Sequence, residues 1–243
     1  MTAMTTPPSR PTVAPVVNLE RDSAEDPSGH GEFRLIFEPR DGSAPVTIRP
    51  IHPEDRQELY EGFRKLSPTS RYQRFFSELN ELSAEQLDYL TEVDGINHVA
   101  LVAVCGAAGL ELERGLGVAR FVRLKDEPDV AEVAITVADD AQNKGIGSAL
   151  LAALIAAARE RGVHRFRMQV LSMNAGMIAL LQHSSAVEIP SDGTFGDDVR
   201  VFEIPISAEG VQSSATHADR GWLGAVEALS RALTGKTHGS GSQ

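Results

Sequence analysis

The run Val130-Ala131-Glu132-Val133-Ala134-Ile135-Thr136-Val137 is mostly apolar and β-branched. After four intervening residues comes Gln142-Asn143-Lys144-Gly145-Ile146-Gly147, and then an alanine- and leucine-rich stretch opening at Ser148. This order predicts a strand handing over through a glycine loop to a helix. A strand followed at once by a long apolar helix needs a sheet beside it and that helix on top, which confines the chain to an α/β or α+β architecture. The junction also suits an anion. The first N–H groups of a helix lack partners, and the summed peptide dipoles place roughly half a positive charge there. Gly145 and Gly147 carry no Cβ, so the main chain can approach a ligand closely and take positive φ.

The spelling of the loop excludes two relatives. A P-loop needs Gly-Lys-Ser/Thr four residues after its first glycine, and nothing of that form stands at that spacing after Gly145. A dinucleotide fingerprint needs a third glycine or alanine where Leu150 stands. What remains, Gln-x-x-Gly-x-Gly after a strand, resembles the acetyl-CoA signature of the GNAT (Gcn5-related) N-acetyltransferases. The resemblance extends to Arg49-Pro50-Ile51-His52-Pro53-Glu54-Asp55, which is similar to the entry into the first helix of those domains. Leu66-Ser67-Pro68-Thr69-Ser70-Arg71-Tyr72-Gln73-Arg74-Phe75-Phe76 resembles the next helix in the branch of bacterial Pat-type protein lysine acetyltransferases. The match covers roughly residues 31–207.

Residues 1–30 hold five prolines among Ser, Thr and charged residues, without a period of 2 or 3.6, and predict a disordered tail. Strands are predicted at 33–37 and 46–49 around Asp41-Gly42, and helices at 54–66 and 70–76. Another helix opens at the capping box Ser83-Ala84-Glu85-Gln86. Strands at 98–104, 116–122 and 130–137 follow. Leu150, Leu151, Leu154, Ile155 and Ala158 then mark one buried face of the helix from Ser148, which Gly162 closes. A strand at 166–171, a helix capped by Asn174 and ending near 181, and a strand at 199–206 complete a domain spanning 31–207. These elements predict a mixed, mostly antiparallel sheet flanked by helices, with parallel pairing where the 148–160 helix crosses over. The resemblance implies that this is the GNAT fold. Residues 208–243 are expected to form an extension with one amphipathic helix over 218–233, carrying Trp222, Leu223, Val226, Leu229 and Leu233 on one stripe. That helix either docks on the domain, binds a partner or mediates self-association.

Composition narrows the function. Cys105 is the single cysteine, so neither a disulfide framework nor a cysteine zinc site is expected. The seven histidines lack HxxxH or HxH spacing, and no metal site is expected. The first residues lack a signal-peptide layout, and no apolar run approaches the ~20 residues of a membrane span, so a cytoplasmic protein without membrane contact is expected. With 23 Lys+Arg against 34 Asp+Glu and no basic block, nucleic acid is not an expected ligand. An acidic surface favours a cationic substrate such as a lysine side chain.

Acetyl transfer to an amine assigns roles to particular residues. Gln142, Asn143, Lys144, Gly145, Ile146, Gly147 and Ser148 would hold the pyrophosphate of acetyl-CoA on main-chain N–H groups, with Lys144 adding charge. The pantetheine arm can pair like a strand with Ile135, Thr136 and Val137, which needs an open edge or a splay; the resemblance places one at this strand, beside a bulge. A free lysine has a pKa of ~10.4 and must lose a proton before it attacks. Glu132 interrupts an apolar strand, where a carboxylate has to be paired, solvated through a cleft or raised in pKa, and it is the candidate general base. The alternative is an outward carboxylate paired with an arginine. The resemblance further implies a backbone N–H near Val137 for the developing negative charge, and a cofactor contact from Asn174, which also fits a plain helix cap. Many relatives place a tyrosine acid seven residues after that asparagine, where this chain has Leu181. The resemblance therefore implies an acetyl-CoA-dependent N-acetyltransferase acting on a protein lysine. The alternatives are a small-amine acetyltransferase and an acyl-CoA-sensing or scaffold module with little catalysis.

Overall fold

The computed structural model describes residues 17–21, 33–39, 41–106, 113–191 and 196–206. Its strands and helices are β1 (Val17–Arg21), β2 (Phe33–Phe37), β3 (Val46–Pro50), α1 (Arg56–Lys65), α2 (Pro68–Phe75), α3 (Ala84–Thr91) and β4 (His98–Cys105), followed by β5 (Arg114–Arg123) and β6 (Val130–Val137). The second half holds α4 (Ile146–Glu160), β7 (Arg165–Leu171), α5 (Ala175–Gln182), β8 (Val187–Ile189) and β9 (Val199–Pro205). All the described strands lie in one sheet, ordered β1-β2-β3-β4-β5-β6-β7-β9-β8. Only β6 and β7, joined through α4, pair in parallel; the other neighbours are antiparallel. The architecture is the mixed, mostly antiparallel one that the element order predicts, with the parallel pair at the expected crossover.

Local chemistry explains where the elements start. Ser67 caps α2 by accepting from the Ser70 N–H (3.1 Å), with Pro68 at the first helical position, where a missing N–H costs nothing. Ser83 and Gln86 close the reciprocal capping box of α3 at 3.2 and 2.8 Å. One correction concerns α4, which begins at Ile146 rather than at Ser148. Gly145, at φ 91°, occupies the N-cap position itself, so the helix starts two residues earlier than the alanine-rich run suggests.

Two structural differences fall at the edges of the sheet. Residues 17–21, read from composition as part of a disordered tail, form β1 and pair with β2 from Val17 opposite Phe37 to Arg21 opposite Phe33. β8, only three residues long, is too short to carry a visible alternation in the sequence. The rest of the 1–30 tail and the 218–233 helix lie outside the described residues.

The two faces of the sheet are covered differently. Ala131, Val133 and Ile135 of β6 point toward α4, where Leu150, Leu151, Leu154 and Ile155 are each at most 3% exposed. Alanines at 152, 153, 156 and 158 are buried with them, and their small side chains let the helix axis lie close to the strands. The opposite face carries α1 to α3, whose Phe63, Leu87 and Leu90 form a second apolar cluster with Leu82. Burying one such leucine is worth about 1.5–3 kcal/mol. No helix among the described residues is long and apolar enough to cross a membrane.

Candidate functional site

The parallel ladder between β6 and β7 has only three rungs: Val130 opposite Arg165, Ala131 opposite Phe166 and Glu132 opposite Arg167. Beyond Glu132 the strands part, although β6 runs on to Val137 and β7 to Leu171. On its other side β6 stays paired with β5 in unbroken register up to Val137 opposite Gly117. The Ala138 N–H donates to Leu116 O (2.9 Å), toward β5. Main-chain groups alternate along a strand, so the N–H and C=O of Val133, Ile135 and Val137 face the gap. The Gln142 amide takes up the Val137 carbonyl on that side at 3.3 Å. Two of the three residues expected to meet an extended amide chain, Ile135 and Val137, thus present main chain to the gap. Thr136 does not: its main chain faces β5 opposite Val118, and its side chain lies on the α1–α3 face. The bulge expected beside the splay falls instead in the β4–β5 pair, between Ala103 and Val104.

At the mouth of this gap the loop 142–147 delivers the chain into α4. Two residues in it take positive φ, Asn143 at 61° and Gly145 at 91°. Asparagine tolerates the left-handed region better than other side chains, a signal that the glycine pattern alone does not carry. Gly147 does not need positive φ, contrary to the expectation from sequence, and sits within the first turn of α4. A Cβ there would meet Leu180 and Val137 at an ordinary 3.7 Å, so the packing of α4 against α5 and β6 leaves room for a methyl group. The N–H groups of Ile146, Gly147 and Ser148 head the helix, whose first internal bond runs from Ala149 N–H to Gly145 O (3.0 Å). The Ile146 side chain is 1% exposed and serves the core.

Side chains around the loop are already engaged. Lys144 Nζ lies 3.1 Å from Asp41 Oδ2, at the tip of the β2–β3 turn. Hydrogen bonds from Ser43 and then from Lys144 hold the Asp41 carboxyl down at about 2. Asp139 accepts from the Ser67 N–H (2.7 Å) and from the Gln142 amide (3.3 Å), tying the start of α2 to the loop.

Glu132 is exposed, solvated rather than buried, and faces the α1–α3 side of the sheet. Its charge attracts the Arg74 guanidinium of α2, which burial holds below the ordinary arginine value. Arg167, its partner in register, bonds Glu127 (2.7 Å) and Glu203 (2.8 Å). Asn174 caps α5 through Oδ1, accepting from the Met177 N–H at 3.0 Å. Leu181 is fully buried, and no acidic side chain stands at that position. His183 is exposed at the end of α5, with Nδ1 2.6 Å from Ala179 O.

Sequence reasoning missed Arg120 on β5. It is 4% exposed and lies opposite Ala134, one diagonal step from both Glu132 and Thr136 on the same face. The argument that singled out Glu132, a charge inside an apolar alternation, applies equally to Val118-Ala119-Arg120-Phe121-Val122.

Comparison with known proteins agrees with this geometry. The sequence model of the "Acetyltransferase (GNAT) family" matches residues 57–184. The chain is 38% identical over 145 residues to "Acetyltransferase Pat" of Mycolicibacterium smegmatis, covering 60% of this chain and 42% of that protein. It is 38% identical over 117 residues to "Acetyltransferase PA5475" of Pseudomonas aeruginosa, covering 48% and 61%. The chain therefore spans less than two thirds of the length of either curated relative. The crystal structure of the GNAT domain of S. lividans PAT superposes with a TM-score of 0.63 at 31% identity, covering 71% of this chain and 96% of that one.

Proposed function

The chain belongs to the acetyltransferase (GNAT) family, and from that premise we propose that it transfers an acetyl group from acetyl-CoA to a primary amine, a protein lysine side chain foremost. The observation that carries this reading is the parting of β6 from β7 after Glu132, directly below the N-terminus of α4. An amide-rich extended arm fits main-chain groups at Ile135 and Val137, and a diphosphate fits the N–H groups that open α4. Lys144 would exchange Asp41 for that diphosphate, and Asn174 lies at the start of α5, beside the open edge of β7.

Acetyl-CoA supplies an activated acyl thioester; the residues of the chain orient it and move protons. Holding the thioester beside the amine contributes up to ~7–11 kcal/mol in favourable cases. Glu132, on the face away from α4 and open to solvent, takes the proton from the attacking amine, directly or through water. The gap-facing N–H of Val137 is the nearest candidate donor to the thioester oxygen as negative charge grows there. With Leu181 buried in place of a tyrosine, the CoA thiolate leaves without a dedicated acid and takes its proton from solvent.

That same buried Leu181 favours a second reading, an acyl-CoA-sensing module with little turnover. Incubation of the full chain with acetyl-CoA and lysine-containing protein substrates, followed by assay of released CoA, separates the two. Turnover that falls at least about tenfold in Glu132→Gln supports the enzyme. Tight acetyl-CoA binding with no release of CoA for any amine supports the sensor.

A further inference from the structure

Arg120 is buried and has no carboxylate partner among the described residues. Its Nη2 donates to Leu90 O (3.1 Å) and its Nη1 lies 3.1 Å from His98 Nε2, while Nε has no partner among the described residues. Thr136 Oγ1 is buried and equally without a partner. Both residues line one cavity of about 100 Å³ between the sheet and α1–α3, together with Arg74. Most of the remaining wall is apolar, including Phe63, Leu66, Phe75 and Val118. Two carboxylates also line it, and both are committed elsewhere. Asp55 is bonded to Arg49 through two oxygens (2.7 and 2.8 Å), and Glu58 accepts from the Gly115 N–H (2.8 Å).

Among the described residues the cavity thus offers largely apolar walls, a hydroxyl without a partner, the Arg120 guanidinium with no carboxylate partner, and the Arg74 guanidinium, which the exposed Glu132 charge attracts. Burying a charge without a partner costs several kcal/mol, and removing it from water strengthens its attraction for any anion that arrives. Burial and the nearby Arg74 charge already push Arg120 down to about 9. A protonated lysine acceptor would bring a third positive charge beside Arg120 and Arg74. An anionic group must therefore come with the donor, and Thr136 belongs to the strand along which the donor would lie.

We propose that this cavity is an acyl pocket for a short chain ending in a carboxylate, so that the protein transfers a dicarboxylic acyl group of the succinyl type as well as acetyl. The proposal rests on the reading that a CoA thioester is the donor. The transfer balances as acetyl transfer does: the thioester C–S bond breaks, the amide C–N bond forms, and the amine proton leaves through Glu132 to water. CoA departs as a thiolate and is protonated by solvent. The terminal carboxylate stays intact, paired with Arg120 and Arg74.

The test compares acetyl-CoA, butyryl-CoA and succinyl-CoA on the full chain by calorimetric titration and by kcat/KM. Butyryl matches succinyl in length and lacks its charge. Succinyl-CoA is expected to exceed butyryl-CoA at least about tenfold in both measures, and Arg120→Met and Arg74→Gln are each expected to shrink that ratio. The wild-type ratio stands even if Arg120→Met does not fold. Butyryl-CoA equal to or better than succinyl-CoA, with acetyl-CoA still bound and consumed, overturns the pocket and leaves the acetyltransferase reading in place. Failure of all three thioesters to bind overturns both.

Discussion

Glu132 stands opposite Arg167 on the last rung of the parallel ladder between β6 and β7. One residue later the strands have separated, and the β6 main chain faces a gap instead of a neighbour. Arg167 is held by Glu127 and Glu203, so the register partner of Glu132 is occupied elsewhere. The carboxylate of Glu132 is left exposed on the α1–α3 face.

A stability difference separates a catalytic from a structural Glu132. Because the side chain is exposed and pairs with nothing within ion-pair distance among the described residues, Glu132→Gln should change the unfolding free energy by no more than about 0.5 kcal/mol. Urea denaturation measures this. A loss of several kcal/mol would mean that the carboxylate holds the fold together, and slowed turnover in the variant would then say little about proton transfer.

The two loop glycines should respond in opposite ways. Gly145→Ala places a side chain at φ 91° and should destabilise by about 1 kcal/mol or more. Gly147→Ala enters a helical turn with its nearest contacts at 3.7 Å and should leave stability unchanged or raise it by about 0.5 kcal/mol. Thermal unfolding of the two variants side by side checks the assignment of positive φ to Gly145 alone.

Gly117 guards the far side of the same strand. A Cβ there would lie 2.8 Å from Thr136 O, closer than real Cβ atoms come, and 3.1 Å from Leu150, a tight contact that the leucine would have to relieve. Gly117→Ala must push β5 from β6 or both from α4, at a cost of about 1–3 kcal/mol. Since Gly117 pairs with Val137, acetyl-CoA affinity should fall along with stability. Unchanged affinity in a destabilised variant would place the acyl donor away from the end of β6.

Acid should weaken the fold through His98. Burial, and then the Arg120 charge, push its imidazole down to about 4 from an ordinary 6.5. The folded state therefore refuses a proton that the unfolded chain accepts. The stabilisation is fully present above about pH 6.5 and is lost as pH falls toward 4. Denaturant midpoints should decline between pH 6.5 and 5 in the native chain and decline less steeply in His98→Gln. Parallel slopes in the two proteins would show that another group titrates.

Much of this molecule is legible in the chain because its strongest signals are local. The capping box at Ser83, the Asp41-Gly42 turn and the alternation leading to Glu132 each depend on a few adjacent residues. The start of α4 is hidden in the sequence because a glycine cap looks like loop in composition and becomes part of a helix start only through its dihedral angles. β1 is hidden because its five residues, Val-Asn-Leu-Glu-Arg, lie in a stretch whose prolines and charges otherwise speak for disorder, and its pairing with β2 is long-range. Lys144 reads as a free charge until the β2–β3 turn brings Asp41 to it. Arg120 and Thr136 share a cavity only because β5 and β6 align them on one face, a register that no single segment encodes.

The most direct measurement follows backbone amide resonances of the isotope-labelled chain during titration with acetyl-CoA. The N–H signals of Ile135, Val137 and residues 145–148 should shift together and saturably, with half-saturation in the micromolar range, about −8 kcal/mol of binding. No shift at these amides in millimolar acetyl-CoA, or shifts confined to other parts of the sheet, would contradict the placement of the thioester donor between β6 and β7.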